Sequence, residues 1–128
     1  LGDLFGSASS HPYISLDKDD RTGQSHDGEN LRLRKLEMID LVVVFAFIYE
    51  GAPNWDSANG VVTVKQHGSA DIVIKLDNPD KGKIMCALIK IENKAGNLVV
   101  TKLEKYFAGH KELDKEFGFG FNWTAGKK

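Results

Sequence analysis

The chain has 128 residues, of which 17 are Lys or Arg and 18 are Asp or Glu, so its formal net charge is −1. This length predicts one domain with a sizeable apolar core, and the balanced charge excludes a basic field that would attract nucleic acid. Every apolar run is shorter than a transmembrane helix, so direct membrane insertion is not expected. The single cysteine, Cys86, lies in an apolar run, which indicates a buried thiol and, with no signal peptide, a cytoplasmic protein.

Residues 1–11 are small and polar, and we interpret them as a flexible lead-in or the end of a linker from another domain. Weak alternation of apolar and polar residues predicts short strands over 13–16 and 31–34. Between these strands lies an acidic loop, residues 17–30, in which five carboxylates fall within thirteen residues. The strands are therefore expected to hold the two ends of the loop.

The acidic loop is the strongest candidate for a binding site. Carboxylates packed this closely repel one another, at about 1 kcal/mol per contact in water, and a cation would neutralise them. Ca²⁺ suits the loop because it takes about six to eight oxygens and tolerates irregular geometry. The EF-hand pattern fails when it is counted from Asp17, because Arg21, Thr22 and Gly28 occupy its fifth, sixth and twelfth positions. A solvated acidic turn that binds no ion is the alternative that these residues leave open.

Residues 41–48 are apolar throughout and rich in β-branched and aromatic side chains, which predicts a central strand covered on both faces. Residues 52–60 follow as a loop by composition, and Trp55 is expected to pack beneath it. Alternation over 61–65 and 71–76 then predicts a hairpin. The side chains expected to face inward from its second strand are Ile72, Ile74 and Leu76.

A strong turn is predicted at 77–82, and strands over 84–92 and 98–107 are predicted to form another hairpin. Residues 110–117 predict two helical turns, with Leu113 and Phe117 on one side. Over 117–123, large aromatic residues alternate with small or polar ones, which predicts a closing strand with Trp123 in the core. Together these patterns predict a mainly β fold, an antiparallel β-sandwich of about 7–9 strands with one short helix near the C-terminus. The domain is expected to span 12–124, with a frayed tail at 125–128.

Sequence signals for catalysis are weak. The pattern G-x-S-x-G of serine hydrolases does not occur, and paired carboxylates for glycoside chemistry lack the aromatic walls of such clefts. Zinc requires convergent ligands, but the histidines are scattered along the chain, at His11, His26, His67 and His110. We therefore expect a protein that is not an enzyme.

The acidic loop and its neighbours resemble a known family. Asp19-Asp20-Arg21-Thr22-Gly23-Gln24-Ser25-His26-Asp27-Gly28-Glu29 is similar to the D-N-x-T-G-x-G-D-G-D-D-E signature of the bacterial TerD-domain family. The apolar run 43–50 follows at the distance usual in that family. The run 106–123 looks most like the TerA-type branch of tellurite-resistance proteins, and the similarity spans about residues 12–124.

The resemblance implies a calcium-binding, non-enzymatic β-sandwich in a cytoplasmic tellurite-resistance and chemical-stress system. Its Ca²⁺-ordered loop would support binding to protein partners, including a membrane-protein complex; a metal-free interaction module is the alternative. Carried over to this chain, the metal ligands would be Asp19, Asp20, Asp27, Glu29 and Glu50, and Asp17, just outside the signature, is added as a further ligand. Because residues 25–30 carry fewer charges than the family signature, we expect one good calcium site and a weaker affinity.

Overall fold

The computed structural model describes residues 5–17 and 28–124 of the chain. Its residues divide into two compact units, Leu1–Ile39 with Thr124–Lys128 and Asp40–Trp123. The described strands number eight, and they form three antiparallel sheets. The predicted class, mainly β with antiparallel sheets and a short helix near the C-terminus, is confirmed. The stacking of these sheets into a sandwich and the domain boundaries stay predictions.

The first unit contains a three-stranded sheet of β1 (Gly6–Ser7), β2 (Ile14–Leu16) and β3 (Leu31–Leu33), in that order. The strands β2 and β3 confirm the prediction that antiparallel strands flank the acidic loop, and Ser15 lies opposite Arg32. The strand β1 lies where the sequence indicates only a lead-in. At Gly6 the backbone φ is +74°, and a Cβ would overlap the Ile14 carbonyl oxygen, so this pairing requires glycine.

The second unit begins at Asp40, and its strands are numbered onward from β4. Its elements in chain order are β4 (Leu41–Phe47), α1 (Trp55–Ala58), β5 (Val61–Val64), β6 (Ile72–Lys75), β7 (Met85–Lys94), β8 (Asn97–Phe107) and α2 (His110–Phe117). Three of these strands form a sheet in the order β4-β7-β8, and β5 pairs with β6. No helix in the described ranges is long and apolar enough to cross a membrane.

The central strand of the three-stranded sheet is β7, so the prediction that residues 41–48 form the central strand is wrong. Among the described strands β4 pairs only with β7, and six of its seven residues are half-buried. The first five residues of β7, Met85 to Ile89, are all buried. A uniformly apolar run predicts a buried strand, but it does not predict whether that strand lies at the centre or at the edge of its sheet.

The β7–β8 hairpin closes through Ala95 and Gly96, whose φ values are 51° and 85°. Two positive φ values are typical of the tight hairpin turn whose twist matches the flanking strands. Asn93 stabilises this turn because its Oδ1 accepts a hydrogen bond from the Gly96 N–H at 2.9 Å. The hairpin prediction is confirmed, and β8 lies at the sheet margin as its charged face indicates.

Residues 52–60 contain the short helix α1, where the sequence predicts only loop. Asn54 begins the helix, since its Oδ1 accepts a hydrogen bond from the Ser57 N–H at 2.8 Å. The expectation that Trp55 packs locally is confirmed. Its side chain is buried, and its Nε1 donates to the Lys83 carbonyl oxygen at 2.7 Å.

The core of the second unit is built from β7, β8 and α2. Its buried members are Met85, Ala87, Phe107 and Leu113, with half-buried Val43, Phe45, Phe47, Leu103 and Phe117 packed against them. The helix α2 therefore buries Leu113 and packs half-buried Phe117 against the same core, as predicted for the two residues on its inner side. On β6, the alternation is also confirmed: Ile74 is fully buried, whereas Val73 is 57% exposed.

Removing the buried side chain of β6 should destabilise the protein. Ile74→Ala is expected to lower the free energy of unfolding by about 2–5 kcal/mol, because it removes core contacts and leaves a cavity. Val73→Ala, on the exposed face of the same strand, should change it by no more than about 0.5 kcal/mol. Urea denaturation followed by circular dichroism measures both, and equal effects would contradict the assigned inner face.

Candidate functional site

The base of the acidic loop is closed by Asp17 and Asn30. The Asp17 N–H donates to the Asn30 carbonyl oxygen at 3.0 Å, and the Asn30 N–H donates to Asp17 Oδ1 at 2.9 Å. Asn30 Nδ2 also donates to Asp17 Oδ2 at 2.8 Å. The pairing of β2 with β3 is thus extended by one residue pair. The chain leaves the sheet and returns to it at a single point.

Besides its hydrogen bonds with Asn30, the Asp17 carboxylate has one charged neighbour that the structure describes. Arg32, in β3, brings a guanidinium nitrogen within 4.0 Å of Asp17 Oδ2. The two hydrogen bonds from Asn30 use one acceptor site on each Asp17 oxygen, and a carboxylate offers about four such sites. These bonds fix the orientation of the carboxylate at the mouth of the loop.

The other predicted metal ligands are placed as follows. Asp19, Asp20 and Asp27 lie outside the described residues. Glu29 is exposed and adjoins Asn30 at the end of the loop. Glu50 belongs to the second unit, where it is exposed three residues after β4 ends. Within residues 5–17 and 28–124, no group of three or more His, Cys, Asp or Glu side chains could hold a metal ion. The calcium site therefore stays a prediction.

A second arrangement, at the C-terminus, was missed by sequence reasoning. The closing strand predicted over 117–123 is wrong, because 117 is the last residue of α2 and the described residues after it, 118–124, contain no strand. Gly118 and Gly120 both have φ of +71°, and these left-handed positions turn the chain back along α2. Aromatic residues alternating with glycine imitate the period of a strand, so the pattern alone misleads.

Asp114 in α2 is the anchor of this C-terminal segment. The residue is 5% exposed, and its Oδ1 accepts a hydrogen bond from the Gly120 N–H at 2.6 Å. Its Oδ2 accepts from the Phe121 N–H at 2.8 Å and from Trp123 Nε1 at 2.6 Å. Because three N–H groups donate to this buried carboxylate, it holds residues 120–123 in one conformation.

Two opposing effects, burial and hydrogen bonding, determine the pKa of Asp114. Burial by itself would raise the pKa of the carboxyl group, because the charged form loses contact with water. Hydrogen bonds from Trp123 and from the backbone of Gly120, Phe121 and Phe119 favour the ionised form, and the net result is a lowered pKa. The carboxylate is therefore ionised at neutral pH.

The rings of the C-terminal segment form a row. Phe119 stacks on Phe121 with ring centroids 5.3 Å apart and an interplanar angle of 6°, and Phe121 meets Trp123 edge-on at 6.0 Å. Trp123 is half-buried, and its ring lies 4.8 Å from that of His110. His110 also contacts Phe47 at 5.3 Å, and burial lowers its pKa, which favours neutral imidazole.

An open cavity of about 510 Å³ lies beside this row. It is lined by Lys111, Asp114, Lys115, Gly118, Gly120, Phe121, Asn122 and Trp123. Two lysines and two aromatic residues thus line one concave surface. The signal that could have found it is the pairing of Asp114 with glycines at 118 and 120, which allow the chain to fold back.

The single thiol, Cys86, is not among the residues of either arrangement. Cys86 is fully buried in β7, as the sequence predicts. Burial, with a smaller contribution from the charge of Glu104, raises the pKa of the Cys86 thiol to about 12. Its thiolate is therefore scarce at neutral pH, and the thiol is a poor nucleophile and a poor metal ligand.

These features define a class of small, mainly β module, with an acidic loop closed at its base and an aromatic C-terminal segment anchored on a helix. The chain is 39% identical over 130 residues to the tellurium resistance protein TerA of Alcaligenes sp.. That similarity makes the chain a Ter-family relative of the TerD-like kind, and the resemblance found in the sequence is confirmed. The alignment covers the whole chain but only 38% of that protein. No protein-family model and no solved structure matches the chain.

Neutralising Asp114 should loosen the C-terminal segment. Asp114→Asn is expected to lower the midpoint temperature of unfolding by several degrees at pH 7, because an amide cannot accept all three hydrogen bonds. In the native protein, the stability from the lowered pKa is present above the ordinary pKa of Asp, about 3.9, and is lost as pH falls through the lower folded value. The variant should lose less stability on acidification.

Thermal unfolding between neutral pH and acid, followed by tryptophan fluorescence, measures both effects. Glu112→Gln, an exposed carboxyl on the same helix, is the matched control and should leave the midpoint nearly unchanged. An Asp114→Asn variant as stable as the control at pH 7 would contradict the anchoring role.

Proposed function

We propose that this chain is a calcium-binding, non-enzymatic module of a bacterial tellurite-resistance or chemical-stress system. In this proposal Ca²⁺ orders the acidic loop, and the ordered loop supports binding to protein partners in the cytoplasm, among them a membrane-protein complex. The similarity to TerA, a protein named for tellurium resistance, supports the choice of system. The observation that carries the site is the closure of the acidic loop by Asp17 and Asn30.

Closure of the loop base favours ion binding for an entropic reason. A loop whose ends are already joined has lost part of its chain freedom, so less is lost when its side chains converge. Its ends carry Asp17 and Glu29, and Asp19, Asp20 and Asp27 lie between them in the sequence. These donors are all carboxylate oxygens, which fit Ca²⁺ far better than zinc or copper.

The hydrogen bonds of Asn30 give this residue a role of its own. Carboxylates that bind metals are themselves hydrogen-bonded, which fixes their orientation. Asn30 donates to both oxygens of Asp17, so it would orient this ligand at the mouth of the loop. Glu50 is included as a ligand on the family resemblance alone.

The proposed mechanism is electrostatic. Without the ion the carboxylates repel one another and the loop loosens, whereas neutralisation by Ca²⁺ gives partner proteins one defined surface. Binding to the folded chain also stabilises it: at ~100 times its dissociation constant, a ligand adds about 2.7 kcal/mol to the free energy of unfolding.

A metal-free interaction module is the second candidate. The observation that favours it is that protein groups, Asn30 and Arg32, already neighbour the Asp17 carboxylate. Calcium calorimetry on the isolated chain distinguishes the two candidates, since only the first predicts saturable heat from a metal site.

Calcium should stabilise the chain, and magnesium should do so much less because it demands near-ideal octahedral geometry. At saturating calcium we expect the free energy of unfolding to rise by about 2–3 kcal/mol, as measured by the shift of thermal unfolding. Asp19→Asn or Asp27→Asn should abolish most of this gain, whereas Asp71→Asn, an exposed carboxylate outside the loop, should retain it.

Two outcomes would count against the calcium site. If both loop variants keep the full calcium response, the ligand assignment is wrong. If the unaltered chain shows no response at millimolar calcium, the metal-free module is the better description.

Direct chemistry on tellurite is not expected. The buried Cys86 thiol, with its pKa of about 12, is a poor reductant at neutral pH. Cys86→Ala and the unaltered chain should both leave the rate of tellurite reduction at the background of the buffer, measured by the appearance of elemental tellurium. A thiol-dependent rate that Cys86→Ala removes would overturn the non-enzymatic assignment.

A further inference from the structure

The C-terminal aromatic surface, defined here as Phe119, Phe121 and Trp123 with Lys111 and Lys115, is independent of the acidic loop. We propose that it binds an extended acidic peptide in which aromatic side chains alternate with carboxylates. Four features of the second unit carry this proposal: a fixed backbone, an exposed ring, a cationic rim and the spacing of the rings.

The backbone of the surface is held in place before any partner arrives. Three hydrogen bonds tie residues 120–123 to Asp114, and the helix that carries Asp114 buries Leu113 in the core. A surface that is already ordered loses little conformational entropy on binding. Its aromatic groups are thus presented as a rigid platform.

Phe121 is the exposed ring of this platform. Its side chain is 59% exposed, although it stacks on Phe119 and meets Trp123 edge-on. Clustered exposed aromatic rings with a polar rim are typical of binding surfaces, where such rings often dominate the affinity. A further aromatic ring from a partner would extend the row.

The rim of the surface is cationic. Lys111 and Lys115 are exposed, lie one helical turn apart and line the same cavity as Phe121 and Trp123. In the described part of the chain, neither lysine forms an ion pair, whereas Lys105 pairs with Glu116. The Asp114 carboxylate also lines the cavity, but both its oxygens are occupied by N–H donors. Charge complementarity therefore selects an anionic partner.

The spacing of the rings selects an extended chain. Successive centroids from Phe119 to Phe121 to Trp123 are 5.3 and 6.0 Å apart. Alternate side chains on one face of an extended peptide are about 6.6 Å apart, so they can contact successive rings. The carboxylates of such a peptide would reach the two ammonium groups at the rim.

The test uses the whole chain and a fluorescein-labelled peptide of nine residues that alternates Glu with Phe. Fluorescence anisotropy is measured in EDTA, so that the result does not depend on calcium or on the function proposed for the acidic loop. Matched peptides replace every Glu by Gln or every Phe by Ala. We expect binding of the Glu/Phe peptide to weaken about tenfold or more with either replacement, and to weaken as salt rises from about 50 to about 300 mM.

Two variants alter the surface: the single variant Phe121→Ala and the double variant Lys111→Glu with Lys115→Glu. Each should weaken binding of the Glu/Phe peptide about tenfold or more. Tyr49→Ala alters an exposed ring that does not line the cavity, and Lys65→Glu with Lys75→Glu makes the same charge change on exposed lysines. These controls should bind as the unaltered chain does. Circular dichroism verifies that every variant is folded.

Several outcomes would overturn the proposal. They are no binding of the Glu/Phe peptide, equal binding of the Gln peptide, or unchanged binding by the two surface variants. Light scattering that shows a dimer dissociated by Phe121→Ala would assign the surface to a second copy of the chain instead. Sedimentation with phosphatidylserine vesicles, but no peptide binding, would assign it to an anionic membrane.

Discussion

Burial of β7 is the constraint on which the second unit depends. Its residues Met85 to Ile89 are all buried, and β4, β8 and α2 pack around them. The tight Ala95–Gly96 turn sets the register of β8 on β7 as far as the pair Ile89–Lys102, and a register shift between Ala87 and Ile89 then places Met85 opposite Phe107. Phe107 and Leu113 then meet Met85 and Ala87 in one cluster, which positions the helix that carries Asp114. A loss of order in β7 would therefore reach the C-terminal segment as well as the sheet.

The Asp114 side chain accepts the backbone hydrogen bonds that a neighbouring strand would otherwise accept. Residues 118–124, which follow α2, pair with no described strand. The N–H groups of Gly120 and Phe121 donate to the Asp114 carboxylate instead. A buried charge is costly unless it is well hydrogen-bonded, and here three donors offset that cost. The result is a short, irregular segment that holds large aromatic rings at its surface without a strand or a disulfide.

The two candidate sites differ in charge and in the kind of order they need. The acidic loop concentrates negative charge, and Asp17 and Asn30 fix its base. Its ordering by a cation would make it a conditional surface. The C-terminal aromatic surface is cationic at its rim and is held by internal hydrogen bonds, so its order requires no ion. If Ca²⁺ orders the loop as proposed, the chain presents one surface that depends on the ion and one that does not.

The sequence by itself determined the local features. Periodicity of two placed Ile74 and Leu76 inside, the strand pattern predicted the β7–β8 hairpin, and helical spacing put Leu113 and Phe117 on one side of α2. The acidic composition and the family motif indicated the calcium loop, which stays a prediction. Only the tertiary structure decided that β7 rather than β4 is central, since both runs are apolar. It also decided that residues 118–123 fold back onto Asp114, because their alternation matches a strand, while the deciding carboxylate lies on a neighbouring helix that periodicity does not register.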